Sequence, residues 1–456
     1  MNLKLREIFS GVELSPEIAN LEYPAHTATD SRNVRPGGAF VALEGEKTDG
    51  HKFIAQAIEN GAKLLIVRKS NPNKNFANPA NIPVIELDDP EHDLEKFASE
   101  RLRKFPVKDI IAITGSVGKT TTRTALEQIL KSRFKIHAPE KSFNTMISCA
   151  ATILSMPLET EILLLEFGAN KPGEIRELTE FFSPTIAILT AIAPVHLEGF
   201  KTLDGVLREK LEITRSRNIR KIVFNSDIDS LRFLEHVSVG TLGSREDLDF
   251  RIVFDDSKFA LPSLAFELQS SGEAAKFRAD VWGKHVAMPL SLAAAAGKIL
   301  GINLTEAAEI LRNYQAMDGR GRIVFLSRER FLIDDAYNAN PMSMRASLET
   351  FAEIDAPAKL AILGEMREMG EEAAKYHAEL GNLIREIDNV ILVGKIWREA
   401  FGGKFQNVEF VEDWQQALEI TREKLDSGNV SGILVKGSNS LKLSEIVKYI
   451  EGNYKS

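Results

Sequence analysis

Residues 108–122 read KDIIAITGSVGKTTT. The apolar run 110–114 reads as a buried strand, Gly115 ends it, and Gly118-Lys119-Thr120 opens a helical pattern. A strand, a glycine turn and a helix start in that order form a phosphate cradle. Glycines let backbone N–H groups approach oxyanions, and the helix N-terminus adds partial positive charge. Lys119 would reach the β- and γ-phosphates, and the Thr120 hydroxyl would hold Mg²⁺. The general pattern G-x-x-x-x-G-K-[ST] is not met, because Ile113 stands at its first glycine; the form here is T-G-x-x-G-K-T-T. The segment predicts an ATP or GTP phosphate site built from Gly115, Ser116, Val117, Gly118, Lys119, Thr120 and Thr121.

Working outward, 456 residues suggest about three domains of ~150 residues each. The net charge of −8 gives no basis for a polyanion-binding surface, which argues against DNA or RNA as substrate. Cys149 is the one cysteine, so neither an intrachain disulfide nor a thiolate metal cluster can form. The first residues lack the apolar core of a signal peptide, and no apolar run is long enough to cross a membrane. We therefore expect a cytoplasmic, monomeric enzyme without membrane insertion. Anionic substrates would then meet local basic and amide groups rather than a global field.

The fold class expected is α/β in three domains. Residues 1–105 mix short strands and helices, with apolar runs at 40–43 and 64–67 and a helical stretch at 53–60. Residues 106–315 alternate strands, at 162–165, 186–189 and 222–224, with helical patterns, which predicts a central parallel sheet covered on both faces. Residues 316–456 repeat the alternation as a Rossmann-like unit, with strands at 331–333, 360–363, 390–393 and 433–435. Helices there should begin near Met342, Glu371, Asp413 and Lys442. The polar stretch 101–106 and the segment 319–321 read as hinges. Ligands of such sheets gather at the carboxyl ends of the strands, which puts the loops after Ile113, Leu165 and Leu189 along one edge.

Five further patterns stand out. Glu166 ends an apolar strand, where a carboxylate suits a Mg²⁺ ligand. His196 follows the strand at 186–189 and is a candidate for metal or phosphate. The run Glu209-Lys210-Leu211-Glu212 reads as a solvated helical face. Arg320 and Arg322 near the second junction could fork a phosphate, and Asp334 or Asp335 could hold a ribose or orient the arginine. Asn340-Pro341 reads as a helix cap with proline at the first helical position. Lys436-Gly437-Ser438 is a small polar turn that could bind a carboxylate.

Together these segments resemble the Mur ligase family, the ATP-dependent amide-forming enzymes of peptidoglycan precursor synthesis. The resemblance spans nearly the whole chain. Thr29-Asp30-Ser31-Arg32, residues 36–42 and Asp49-Gly50-His51 look like the family's UDP-sugar-binding module. Residues 166–175 are similar to an E-M-G-x-x-x-x-G-E-I stretch, and His196-Leu197-Glu198 and Lys210 fall where the family has its H-L-E and its active-site lysine. Residues 334–341, residues 363–366 and His377 match the member that adds D-alanyl-D-alanine to UDP-N-acetylmuramoyl-tripeptide.

The resemblance implies roles as well. Lys119, Lys210, His196 and Arg320 would be catalytic. ATP would be held by residues 115–121 with His285, Arg320 and Asp335. The UDP substrate would meet Ser31, Arg32, Asp49, Gly50, His51, Asn144 and Thr145. Two Mg²⁺ ions would use Thr120, Glu166, His196 and Lys210, the last as a carbamate.

Some positions depart from the pattern. The adenine stretch G-x-H-N-x-x-N keeps His285 but has Val286 and Pro289 for its asparagines. Thr145, Ser148 and Asn439 replace an asparagine, a glycine and an arginine common in relatives. A lysine- or diaminopimelate-adding member, or a paralogue with another acceptor, stays open at this point. So does a nucleotide-dependent ATPase without ligase activity. Folate polyglutamylation is disfavoured by the Asp30-Ser31-Arg32 module.

Overall fold

A computed structural model describes residues 3–456 except 46–47, 75, 79–80, 140–141, 242–246, 255–263, 328, 403–404 and 456. The described residues form three sheets. The first contains β1 (Thr27–Ala28), β2 (Ala39–Val41), β3 (Leu64–Arg68) and β4 (Val84–Leu87), all parallel and in chain order.

The second sheet contains β5 (Asp109–Thr114), β6 (Ile136–His137), β7 (Ile162–Glu166), β8 (Ile186–Leu189), β9 (Lys221–Asn225), β10 (Val237–Thr241), β11 (Phe250–Phe254), β12 (Leu264–Ser270) and β13 (Glu273–Ala279). Their order is β13-β12-β11-β10-β9-β8-β5-β7-β6. From β11 to β6 every pairing is parallel. β5 lies between β7 and β8, where the winding reverses, so the loop after it opens at the switch point that such sheets use for ligands. Its residues Ile111, Ala112 and Ile113 are wholly buried, as an apolar run covered on both faces must be.

Strict β/α alternation does not persist through this region. Among the described residues β10 to β13 follow one another without an intervening α-helix, and β11, β12 and β13 pair antiparallel. The sequence explains why. Leu264, Phe266 and Leu268 alternate with partly exposed residues, as do Ala275, Phe277 and Ala279, so this ribbon hides one face only. Phe266 and Phe277 stack across it at 5.1 Å and share a core with the mostly buried helix Ala287–Ile299.

The third sheet contains β14 (Arg322–Phe325), β15 (Phe331–Asp335), β16 (Lys359–Gly364), β17 (Asn389–Val393), β18 (Val408–Val411) and β19 (Gly432–Lys436). Its order is β14-β15-β19-β16-β17-β18, parallel except for the β14/β15 pair. Asn340 caps helix Pro341–Glu353 through Ser343 N, with Pro341 at its first position.

Residues 101–104 are not a polar linker. They form the last turn of helix Pro90–Lys104, and Arg101 is buried with its guanidinium donating to Met156 O. That helix packs on helix Met146–Leu154, so Leu94, Phe97 and Ala98 share a core with Cys149 and Ile153. The apolar face of 90–104 requires this cover; the polar look of 101–106 comes from exposed Arg103 and Lys104 together with the buried Arg101.

Phe277→Ala should lower stability by about 3–5 kcal/mol, because it empties the stacked ribbon core. Chemical denaturation followed by far-UV circular dichroism measures this directly. A loss under about 1 kcal/mol would mean that the ribbon does not anchor the sheet.

Candidate active site

The strand β5 ends at Thr114, and the chain turns at Gly115 with φ +145°. A Cβ there would lie 2.1 Å from Thr190 Oγ1 and 2.9 Å from Ala191 N, so only glycine fits. The loop is tied to the segment after β8. Ser116 N donates to Ala191 O (2.7 Å), Ser116 Oγ to Ala193 O (3.0 Å) and Thr190 Oγ1 to Val117 O (2.5 Å). Gly118 (φ +85°) precedes helix Lys119–Leu130, whose first N–H groups face the loop opening. Lys119 Nζ curls back to Gly115 O at 2.6 Å. Enclosure draws its ammonium down to about 8, opposed by the Glu166 carboxylate and assisted by the Arg320 charge.

Glu166, the last residue of β7, is fully buried. Arg123 Nε donates to its Oε1 at 2.7 Å and Thr120 Oγ1 to its Oε2 at 3.0 Å. Ser142 Oγ lies 2.9 Å from Thr120 Oγ1. Arg123 was not apparent from the motif, although it stands one helical turn after Lys119, on the face where a buried strand-end acid needs a cation.

His196 sits after β8 in the left-handed region, φ +50°. Its Nδ1 is hydrogen-bonded to a carboxylate oxygen of Glu368, which comes from the loop after β16. The run 209–212 is not a solvated face. Glu209 is 4% and Lys210 1% exposed. Glu209 accepts from Gly173 N and Ile175 N at 2.7 Å each, at the start of helix Glu174–Phe182. Burial draws Lys210 down to about 7; the Lys119 charge pushes the same way, and Glu209 and Glu174 oppose it.

A cavity of about 770 Å³ gathers these groups. Its lining includes Lys119, Thr120, Glu166, His196, Lys210, Asn144, Thr145 and Arg320. A second cavity of about 190 Å³ meets the other side of the same loop and is lined by Thr121, His285, Asp335, Asn340 and Lys436. Arg320 borders both, its guanidinium stacked 4.0 Å over Tyr337. Arg322 instead pairs with Asp318, Asp334 and Glu451 beside β14. The Lys436 turn already has a carboxylate, since Lys436 Nζ donates to Asp335 Oδ2 at 2.7 Å. Ser438 Oγ donates to Glu365 O at 2.9 Å.

The first-sheet candidates lie elsewhere. Ser31 Oγ donates to Gln56 (2.6 Å), and exposed Arg32 pairs with Asp30 (2.6 Å). Asp49, next to Gly50, accepts from His51 N (3.0 Å), and Arg68 N donates to His51 Nε2 (3.0 Å). From this sheet's connections the large cavity takes Glu44 and Gly45.

The donor set fits Mg²⁺. The hydroxyls of Thr120 and Ser142 and the Glu166 carboxylate put hard oxygens on one cavity wall. Among the described residues no three His, Cys, Asp or Glu side chains form a cage, and Mg²⁺ bound with nucleotide completes its shell from water and phosphate.

Gly115→Ala should weaken nucleotide binding at least tenfold, because the loop must leave Thr190 and Ala191 to admit the methyl group. Titration with a fluorescent ATP analogue reads this, and unchanged affinity would refute the close approach.

Comparisons with known proteins match the chain along most of its length. The family model of the Mur ligase middle domain matches residues 113–297. The Mur ligase glutamate ligase domain matches 319–439, and the Mur ligase family catalytic domain matches 26–101. The UDP-N-acetylmuramoyl-tripeptide–D-alanyl-D-alanine ligase of Bacillus subtilis (strain 168) is 30% identical over 92% of this chain and 92% of its own. The ligase of the same name from Escherichia coli (strain K12) is 30% identical over 93% of each. The crystal structure of MurF from Acinetobacter baumannii superposes with a TM-score of 0.77 at 25% identity, covering 94% of this chain and 93% of that one. The MurF ligase from Thermotoga maritima, solved in complex with ADP, shares the fold, with a TM-score of 0.76 at 24% identity over 94% of this chain and 97% of that one.

Proposed function

The chain belongs to the Mur ligase family, and from that premise we propose that it joins D-alanyl-D-alanine to UDP-N-acetylmuramoyl-tripeptide with hydrolysis of ATP, a step of peptidoglycan precursor synthesis. One observation carries this reading: the phosphate loop, Glu166, His196, Lys210 and Arg320 border a single cavity that draws on the second and third sheets.

The reaction runs in two steps. The tripeptide's terminal carboxylate oxygen attacks the γ-phosphorus of ATP in line, and the bond to ADP breaks, giving an acyl phosphate. The amine of D-alanyl-D-alanine then attacks the acyl carbon. The resulting tetrahedral intermediate expels phosphate, the nitrogen loses a proton, and the amide remains. The chief obstacle is repulsion between a carboxylate and a triphosphate. Lys119 answers it at the β- and γ-phosphates, together with the N–H groups of residues 115–121. Arg320, held flat on Tyr337, approaches the same phosphates from the third sheet. Mg²⁺ held by Thr120 and Glu166, with a second ion at His196 and Lys210, would supply further neutralisation of that charge. Asp335 and His285 would border the nucleoside in the smaller cavity. Ser31, Arg32, Asp49, Gly50 and His51 would dock the UDP group, with Asn144 and Thr145 nearer the peptide.

Acyl phosphates hydrolyse in water, so the site must shut. The units 1–105, 106–315 and 316–456 would close over the cavity as domains, which makes turnover sensitive to their motion. Lys210 fits the carbamate that the family resemblance implies. Burial leaves a large fraction of it as free amine near neutral pH, and only that form adds CO₂, releasing one proton.

Lys119→Ala should abolish ATP-dependent phosphate release while leaving affinity for the UDP substrate nearly unchanged, read by calorimetry. Loss of UDP-substrate binding instead would refute this division of labour. In ¹³C-bicarbonate the protein should show a carbamate carbon resonance that Lys210→Ala lacks, and short-chain carboxylic acids should partly restore the activity of that variant. A resonance that persists in Lys210→Ala would place the carbamate elsewhere.

A further inference from the structure

Two loops from different sheets meet beside the large cavity. One carries His196 after β8; the other carries Glu368 after β16. Both residues are non-glycine and both are left-handed, with φ +50° at His196 and +64° at Glu368. Such backbone is costly for L side chains and persists only where surrounding contacts demand it. The demanding contact here is mutual. His196 Nδ1 is hydrogen-bonded to the Glu368 carboxylate, and Glu198 N donates to Glu368 O at 3.4 Å. The pairing joins residues 172 positions apart, so it exists only when the third sheet is docked on the second.

A carboxylate can only accept, so the nitrogen facing it must carry the hydrogen. In the neutral ring this leaves the lone pair on Nε2. His196 itself lines the cavity, whereas Glu368 is not part of that lining. We infer that Glu368 is the positioning residue for His196: docking of the third domain delivers its carboxylate to Nδ1, fixes the imidazole tautomer and orientation, and so readies Nε2 for a divalent cation. A carboxylate behind a metal-binding histidine acts in this way in metal sites generally. Undocked, the ring turns freely and exchanges tautomers. Metal binding and domain docking are then linked, each favouring the other by the same factor. The inference rests on the reading of His196 as a metal-binding residue.

The test uses the full chain labelled with ¹⁵N-histidine at pH 8, where an ordinary imidazole is neutral. Long-range ¹H–¹⁵N spectra report the tautomer, and His196 is the signal missing in His196→Gln. Wild type should show the Nδ1–H form, and Glu368→Ala should show the averaged pattern of a free ring. Mn²⁺ titration in the presence of ADP, read by electron paramagnetic resonance, should show about 10–100-fold weaker binding in Glu368→Ala. Glu368→Gln keeps an acceptor oxygen and should hold the tautomer while losing Mn²⁺ affinity several-fold; it decides the matter if the alanine variant does not fold. An unchanged tautomer in Glu368→Ala, or unchanged Mn²⁺ affinity in the deciding variant, overturns the inference. Weaker Mn²⁺ binding in His196→Gln alone leaves the metal reading standing and removes Glu368 from it. Unchanged Mn²⁺ binding in His196→Gln overturns the metal reading beneath both.

Discussion

Everything at this site depends on one carboxylate buried at the end of a strand. Glu166 ends β7 fully buried, and a buried acid is tolerated only where its charge and lone pairs are met. Arg123 and Thr120 meet them, both from the helix that begins at Lys119. The ion pair therefore bolts that helix to the strand beside β5. With the helix start fixed, Gly118 and Gly115 have one way to bridge it to the strand, and the loop between them is held open. Removing the acid would leave Arg123 buried with one partner, Glu127, and would free the helix start to shift. The oxygen atoms proposed to hold Mg²⁺ thus also fix the helix in place.

The second consequence is geometric. The switch point of the central sheet gives the loop one open side, and the third sheet covers it. Arg320, Tyr337 and Asn338 reach the large cavity from that side, and Asp335 and Lys436 reach the smaller one. A phosphoryl-transfer step between two anions needs cations from several directions and little water. A single sheet edge supplies neither, whereas two units meeting over a loop supply both. The proposed mechanism uses that division: one unit would hold the phosphates, and another would bring the group that completes the charge.

The sequence disclosed the parts of this that are local. Strand, glycine turn and helix start at 110–120 carry their own signature, because the phosphate cradle is made by consecutive residues. Strand ends at 166 and 189 were legible for the same reason, and so was the Asn340 cap. Lys210 was not. Its charged neighbours suggested a wet surface, yet Glu209 is buried because it accepts from two N–H groups at a helix start 34–36 positions away. Arg101 misled in the same manner, since the carbonyl that accepts its guanidinium belongs to Met156. The antiparallel ribbon β11–β13 was missed because its alternation was read as part of a β/α series. Glu368 lay beyond reach altogether, as its partner is in a different sheet. Contacts between distant segments leave no spacing to read; the family resemblance alone pointed to Lys210.

The central claim is that a carboxylate and the terminal phosphate of ATP react in this cavity before the amide forms. Tripeptide substrate labelled with ¹⁸O in its terminal carboxylate tests it most directly, with ATP, Mg²⁺ and D-alanyl-D-alanine supplied and the products read by mass. One ¹⁸O atom should appear in each phosphate released, with one ADP and one amide bond per turnover. Phosphate free of ¹⁸O, or ADP formed without amide, would contradict the account.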